Sequence, residues 1–332
     1  MVTRIFQLLL LISPIGVCSS PDPYMFDMTL FRIGVIVLFM ASFIDKPRRT
    51  IPQYINNIVL SLLGLCLVSV FIHTFAPVTL MNSQNLFLAI LGINIVYIYW
   101  DEKQDVRKYI LWAGLINLIF FISQHFGFDP IYKIKTYVGE EGAFFGNKQR
   151  MMTYFALITP FLYTPLLIIS LVLAFFTKQY VILIPLATVL FFKAKNEKKL
   201  GVVVLVLLSI VLLQKHLLHS LWYRFNYAWK PALEIFFNYS LIGIGLGARE
   251  GKMPDVLGCS YLQFIVGVGI IGAVWFGYIF KKLWKGIIQC VPMSSLLLIM
   301  LVEYPIEIPR LWFTVMAIVV MFLLNQKEVL PC

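Results

Sequence analysis

Charge is what this sequence has least of. Only 13% of its 332 residues are Asp, Glu, Lys or Arg, about half the share with which a soluble domain covers its surface. Hydrophobic residues make up 60% and the mean hydropathy is +0.87, in apolar runs long enough to cross a bilayer. Period-two alternation is missing as well. Runs such as IVLSLLGLCLVSVFI (58–72) have no polar face for a barrel lumen, and lipid offers a bare backbone no hydrogen bonds, so spans must be helical. These absences exclude a soluble domain and a β-barrel. They predict an all-α polytopic membrane protein whose residues 1–332 form one transmembrane domain, with membrane lipid as its constant partner.

Two further scarcities narrow the chemistry. The five cysteines (Cys18, Cys66, Cys259, Cys290, Cys332) include no CxxC pair, so neither a zinc site nor a dithiol redox centre is expected. Cys18 and Cys259 fall on one side of the topology described next, but their spacing does not ask for a disulfide. There are four histidines, His73, His125, His216 and His219. His216 and His219 share a helical side, yet without further ligands at suitable spacing they make no metal site, and interfacial anchoring accounts for them equally. No metal and no cofactor is expected. The net charge of +11 would point to nucleic acid on a soluble protein. On this chain it reads as charge retained in inner loops, with no nucleic-acid partner.

The apolar runs predict about twelve helices: a first segment following Arg4, then 28–44, 54–76, 85–100, 107–126, 151–163, 165–177, 180–193, 200–217, 260–280, 286–302 and 309–325. The first segment is either a signal peptide or a helix; no small-x-small cleavage site follows it, which favours the helix. Pro160, Pro165 and Pro185 interrupt 151–192, and the pieces between them are too short to cross upright, so fewer, kinked helices are the alternative there. An inner N-terminus puts DKPRR (45–49), DEKQDVRK (101–108), KAKNEKK (193–199) and KKLWK (281–285) on the inner side, as the positive-inside rule requires. Arg32 lies within a span near its outer end, where it either snorkels to the interface or faces an anion.

Two long outer loops, 127–150 and 216–259, break the charge rule with Lys133, Lys135, Lys148, Arg150, Arg224, Lys230, Arg249 and Lys252, and Lys215 stands just before the second. Either long loops simply cross regardless of charge, or an anionic ligand calls for these cations. The second loop belongs to the stretch Ser220–Trp275, the longest polar interruption in the chain. It holds a short amphipathic helix that Pro231 can begin, with Trp229, Leu233, Phe236 and Phe237 as its apolar side. The alternating glycines Gly243, Gly245 and Gly247 of GIGLG follow. They permit close backbone approach to a phosphate or sugar, or equally a turn or tight helix packing.

Four segments in order resemble the O-antigen ligase and O-antigen polymerase family of bacterial surface-polysaccharide enzymes. GAFFGNKQRMMTYFALITPFL (142–162) is similar to its glycine–aromatic–Gly-Asn segment, and FFTKQYVILIPLA (175–187) to its Ser-Arg-Gly hairpin, with Thr177 and Lys178 in place of Ser and Arg. RFNYAWKPALEIFFNYSLIGIGLG (224–247) resembles the opening of the large periplasmic loop, and SYLQFIVGVGIIGAVWF (260–276) the helix after it. The resemblance covers roughly 140–280; the N-terminal helices match only in hydropathy. Two departures stand out. Gly258 and Cys259 occupy the place of a His-Asn pair that many ligases carry, and a glutamate often found shortly after is missing from FIVGVG.

The resemblance implies a multi-pass glycosyltransferase of the bacterial inner membrane, active at the periplasmic face and independent of metal and nucleotide. It would move an oligosaccharide from a polyprenyl-pyrophosphate lipid to another lipid-linked repeat unit (polymerase) or to the lipid A core (ligase). The departures tilt the expectation toward the polymerase. The family's cation roles fall on Arg224, Lys178 and Arg150, with Arg249 and Lys252 as lesser candidates for the pyrophosphate and Gly243, Gly245 and Gly247 beside them. Lysine at 178 is the weaker clamp because it lacks arginine's planar donor fork. With Gly258 unable to take a proton, the base falls to Asp255, His216 or His219. Trp222, Tyr223, Tyr227 and Trp229 either stack on sugars or anchor the interface. Two rivals remain: a lipid-linked-sugar flippase, which would concentrate its ionisable residues near the midplane, and a non-catalytic modulator of a polymerase.

Overall fold

A computed structural model describes residues 1–15, 23–72, 77–101, 104–128, 143–145, 148–162, 164–194, 198–199, 201, 222–239, 241–245, 259–303 and 311–325. Among these residues there are twelve α-helices and no strand. They are α1 (Val2–Ile12), α2 (Pro23–Ser42), α3 (Gln53–Ile72), α4 (Pro77–Tyr99), α5 (Arg107–His125), α6 (Lys148–Ile158), α7 (Thr164–Thr177), α8 (Leu183–Lys193), α9 (Lys230–Asn238), α10 (Ser260–Gln289), α11 (Val291–Val302) and α12 (Trp312–Asn325). Two of them, α3 and α10, are long and apolar enough to cross a membrane.

The helices pack about α6 and α12. Every residue of α6 from Met151 to Ile158 is buried, as befits a helix apolar on all sides, and α5, α7, α8, α11 and α12 surround it. The region 151–193 consists of three separate helices, as its apolar runs predict, and not of the alternative of fewer, kinked ones. A 3-10 turn at Thr159–Phe161, carrying Pro160, ends α6, and a second at Tyr180–Ile182 leads into α8. Pro165 and Pro185 sit in the first turns of α7 and α8, where the missing N–H has no intrahelical acceptor to lose. The first segment is a helix integrated with the rest: Val2, Phe6 and Leu10 of α1 are fully buried against α2, α4, α5 and α12.

Polar contacts gather the basic segments at one end. The Met1 ammonium meets Asp45 at 2.6 Å, Arg48 meets Asp101 at 3.0 Å, Arg49 donates to the Trp100 carbonyl at 2.7 Å, and Arg107 donates to the Phe161 carbonyl at 2.8 Å. Ile287 and Cys290 pack there with Ile55 and Tyr97. The expected inner loop at 281–285 is not a loop. Helix α10 continues through Lys281, Lys282 and Lys285 to Gln289, and the chain turns at Cys290, which is extended (φ −105°, ψ 96°), with Pro292 in the first turn of α11. From there α11 carries the chain to the opposite end, which it reaches at Glu303.

Candidate functional site

Glu303 closes the apolar run of α11 and is 3% exposed. Three separate stretches of sequence reach it. The guanidinium of Arg224 lies 3.1 Å from one carboxylate oxygen. Gln149, in the first turn of α6, donates its side-chain amide at 3.0 and 3.3 Å. Thr153 stands one turn further along the same helical face. Its fully buried hydroxyl donates to the Gln149 carbonyl at 2.9 Å and is within reach of the same carboxylate. At the start of α10, the backbone N–H and the hydroxyl of Ser260 approach the Glu303 carbonyl at 3.4 and 3.3 Å.

A carboxylate taken this far from water costs several kcal/mol unless it is paired and hydrogen-bonded. Burial pushes the Glu303 carboxyl above the usual carboxylate range; Arg224, and then the hydrogen bonds from Gln149, Arg224 and Thr153, pull it back. Burial wins. Arg224, by contrast, keeps about a fifth of its side chain exposed (21%), so the pair presents its cationic side outward and its carboxylate inward. Arg224 enters from the start of a π-helical turn, Phe225–Trp229, that leads into α9. Such widened turns often mark functional positions.

The glycines do different work. Helix α10 is broken at Gly269, whose left-handed backbone (φ 67°, ψ −162°) interrupts the hydrogen-bond ladder. The carbonyls of Val266 and Gly267, freed by the break, accept from the N–H groups of Ile244 (3.1 Å) and Gly245 (2.9 Å), and the N–H of Ile271 turns to the Leu241 carbonyl at 3.4 Å. The N–H of Gly243 goes to the Tyr239 carbonyl at 2.9 Å. These three groups of the broken helix thus have partners. A Cβ on Gly243 would fall 2.4 Å from the Val266 carbonyl oxygen, and one on Gly269 2.6 Å from the backbone at 241–243. Of the two roles open to Gly243 and Gly245, the structure takes tight packing. The N–H groups of Gly243 and Gly245 are spent inside the protein, on the Tyr239 and Gly267 carbonyls.

The remaining expected residues divide. Arg150 lies in the first turn of α6 beside Gln149 and is half-buried; one residue on, it points about 100° around the helix from Gln149. Lys178 is exposed in a left-handed turn (φ 55°) at the end of α7. His216, His219, Gly247, Arg249, Lys252, Asp255 and Gly258 lie outside the described residues. So does Cys18, while Cys259 is a buried free thiol. Arg32 neither snorkels alone nor joins Arg224: it donates to Asn85 of α4 at 3.0 Å. Trp222, Tyr223 and Tyr227 are exposed, with the two tyrosine rings 4.9 Å apart. Helix α9 buries Ala232 and Ile235 against Ile244 and Val266, while Leu233 and Phe237 face out. Of the expected Trp229–Leu233–Phe236–Phe237 stripe, Trp229 and Phe236 pack against this cluster, while Leu233 and Phe237 do not.

Glu303, Gln149 and Thr153 were not expected. The available signal was the lone carboxylate that ends an apolar run, a position where an ionisable residue rarely stands without a function. A cleft of about 300 Å³ lined by Asp105, Arg107, Phe161, Pro292 and Met321 lies at the other end of α6 and α11 and has no part in this cluster.

No protein-family model matches this chain, and no curated protein is significantly similar to it.

Proposed function

We propose that the chain is a polytopic membrane glycosyltransferase that moves an oligosaccharide from a polyprenyl-diphosphate lipid to a glycan acceptor, in the manner of an O-antigen polymerase. One observation carries this reading. Three of the four segments that resemble the polymerase–ligase family, one of them more than sixty residues upstream of the other two, converge on Glu303 through Gln149, Arg224 and Ser260. Membrane residence is supported by apolar side chains left outside the core: Ile33, Ile36, Phe39 and Met40 on α2, Leu60, Leu67 and Phe71 on α3, and Ile270, Ile271 and Val274 on α10 are all exposed. Water does not tolerate so much open apolar surface on one molecule. At the Glu303 end, Trp222, Tyr223, Tyr227 and Phe237 supply the kind of aromatic belt that sits at a bilayer interface.

Chemically, breaking the bond between an anomeric carbon and a diphosphate leaves a multiply charged group, and a preorganised cation lowers that barrier. Arg224 is the cation at the cluster, and its fork suits phosphate oxygens. The end that holds it is the periplasmic face of an inner membrane in this reading, and the basic segments at 45–49 and 101–108 lie inside. A polymerase rather than a ligase is favoured because Gly258 and Cys259 stand where ligases carry His-Asn. The test is transfer by the purified protein from a polyprenyl-diphosphate oligosaccharide to a second lipid-linked unit, alongside the glycan banding of cells with and without the gene. Unchanged banding together with no transfer from any lipid-linked donor would sink the reading.

A further inference from the structure

The Arg224–Glu303 pair raises a question that the glycosyltransferase reading alone leaves open. An arginine already bonded to a carboxylate is not free to hold a diphosphate. We propose that the two residues form an exchange pair: the diphosphate of the incoming donor takes over Arg224, and the carboxylate left behind becomes the base that receives the acceptor hydroxyl's proton.

The geometry favours such an exchange. Arg224 is the outer member, one-fifth exposed, and Glu303 the inner one. A ligand arriving from the loop side therefore meets the guanidinium first, and movement of Arg224 toward it uncovers the carboxylate. Glu303 does not collapse when released, because Gln149 holds both of its oxygens and Ser260 holds its carbonyl. The groups facing it are Arg224 from the π-helical segment, Gln149 and Thr153 from α6, and Ser260 from α10. Lys148 and Arg150 flank Gln149 in sequence. Among the described residues, Arg224 is the one charge whose field is felt strongly at the carboxylate. Its departure leaves a buried anion with neutral hydrogen-bond donors, so the proton affinity of Glu303 rises at the moment a proton must be accepted.

In the transfer step the acceptor hydroxyl oxygen forms a bond to the donor's anomeric carbon. The bond from that carbon to the diphosphate oxygen breaks and its electron pair leaves with the polyprenyl diphosphate, whose negative charge faces Arg224. The hydroxyl proton moves to a Glu303 oxygen. When the lipid diphosphate departs, Arg224 returns and Glu303 gives the proton to water. The role that Gly258 cannot fill is thus taken by a residue from another helix, while Asp255, His216 and His219 are not needed as the base.

The exchange presupposes the glycosyltransferase reading, and its test separates the two. Purified protein is titrated with inorganic pyrophosphate, and transfer is measured from a lipid-linked donor, for the wild type and Glu303→Gln. Because a neutral amide holds an arginine less strongly than a carboxylate does, Glu303→Gln should bind pyrophosphate about tenfold more tightly. Its transfer rate should fall at least about a hundredfold. A residue that merely braced Arg224 would weaken binding when changed, so weaker binding in Glu303→Gln overturns the exchange. Tighter binding with transfer retained removes Glu303 as the base and leaves the glycosyltransferase reading standing. Absence of pyrophosphate binding by the wild type overturns both.

Discussion

The stretch from Arg224 to Gly272 is continuous in sequence apart from its loop, but its two halves are held by different physics. The first half places one side chain: Arg224 reaches a carboxylate on a distant helix, in a charge pair that a ligand can compete with. The second half places backbone. Residues 241–245 lie against the break in α10 with their N–H and carbonyl groups matched, and there is no room for a Cβ at Gly243 or Gly269. A side-chain pair can exchange its partner for the charge of a ligand, whereas a backbone seam cannot. The contrast assigns chemistry to the Arg224 half and rigidity to the glycine half, although the glycines look the more ligand-like in the sequence.

The largest expected effect lies in the seam. Gly269→Ala and Gly243→Ala each combine a left-handed backbone with a Cβ inside 2.6 Å of main-chain atoms. Each should therefore lose on the order of 4 kcal/mol or more and fail to accumulate as folded protein. Gly64→Ala, in α3 with nothing within 4 Å of the added carbon, should be neutral or gain up to about 1 kcal/mol from helix propensity. Thermal unfolding of the three variants in one detergent checks the comparison. If Gly243→Ala matches Gly64→Ala, the seam is not what fixes this half.

Next in size is Arg224→Ala. It leaves a buried carboxylate without its cation, a change that costs about 3 kcal/mol where both partners are buried and less here because Arg224 is partly exposed. Adding Glu303→Gln should return part of the loss, so the double variant should be more stable than the sum of the singles implies by at least about 1 kcal/mol. Additive losses would show that the two residues are coupled less than their 3.1 Å contact suggests.

The same pair sets a pH dependence. Burial first, then Arg224 in opposition, leaves Glu303 with a higher proton affinity folded than its ordinary value of 4.5. Between that value and the folded one the native state holds the extra proton, so stability falls as pH rises across the interval. Arg224→Ala removes the term that lowers the folded value. It should widen the interval upward and steepen the loss toward neutral pH, while Glu303→Gln should flatten it. Midpoints measured from pH 4 to pH 8 (spanning the carboxylate and histidine ranges) would contradict the assignment if Arg224→Ala gained stability with rising pH.

Much of this architecture was legible in the sequence because apolar runs and prolines write helices directly. The ends of α3, α5, α7 and α8 lie within a few residues of where hydropathy places them, and Arg224 stands out as a cation in a loop that the charge pattern predicts to be outer. What escaped was long-range. Nothing near Glu303 in sequence announces that Gln149 and Arg224 will meet it, since the three come from segments that only the packing of α6 against α11 brings together. The KKLWK segment was misread because three lysines look like a loop, whereas on α10 they occupy the solvated end of a helix that continues past them. The packing role of Gly243 and Gly245 was hidden for a related reason. Alternating glycines report close approach of something to backbone, and here that something is the broken helix α10.

The smallest expected effect sharpens the comparison from outside both halves. Lys178 holds a left-handed conformation (φ 55°) and is exposed, a geometry that costs a non-glycine residue roughly 1–2 kcal/mol. Lys178→Gly relieves that cost but adds freedom to the unfolded chain, so a net gain of about 0.5 kcal/mol is expected. Lys178→Ala keeps the strain and should leave stability within about 0.5 kcal/mol of the wild type. Transfer activity supplies the second axis. If the lysine contributes charge to the donor's diphosphate, both variants should lose it equally, with kcat/KM for a lipid-linked donor about tenfold lower despite their different stabilities. Activity that follows stability instead, rising in the glycine variant, would make Lys178 a turn residue and leave Arg224 to act without it.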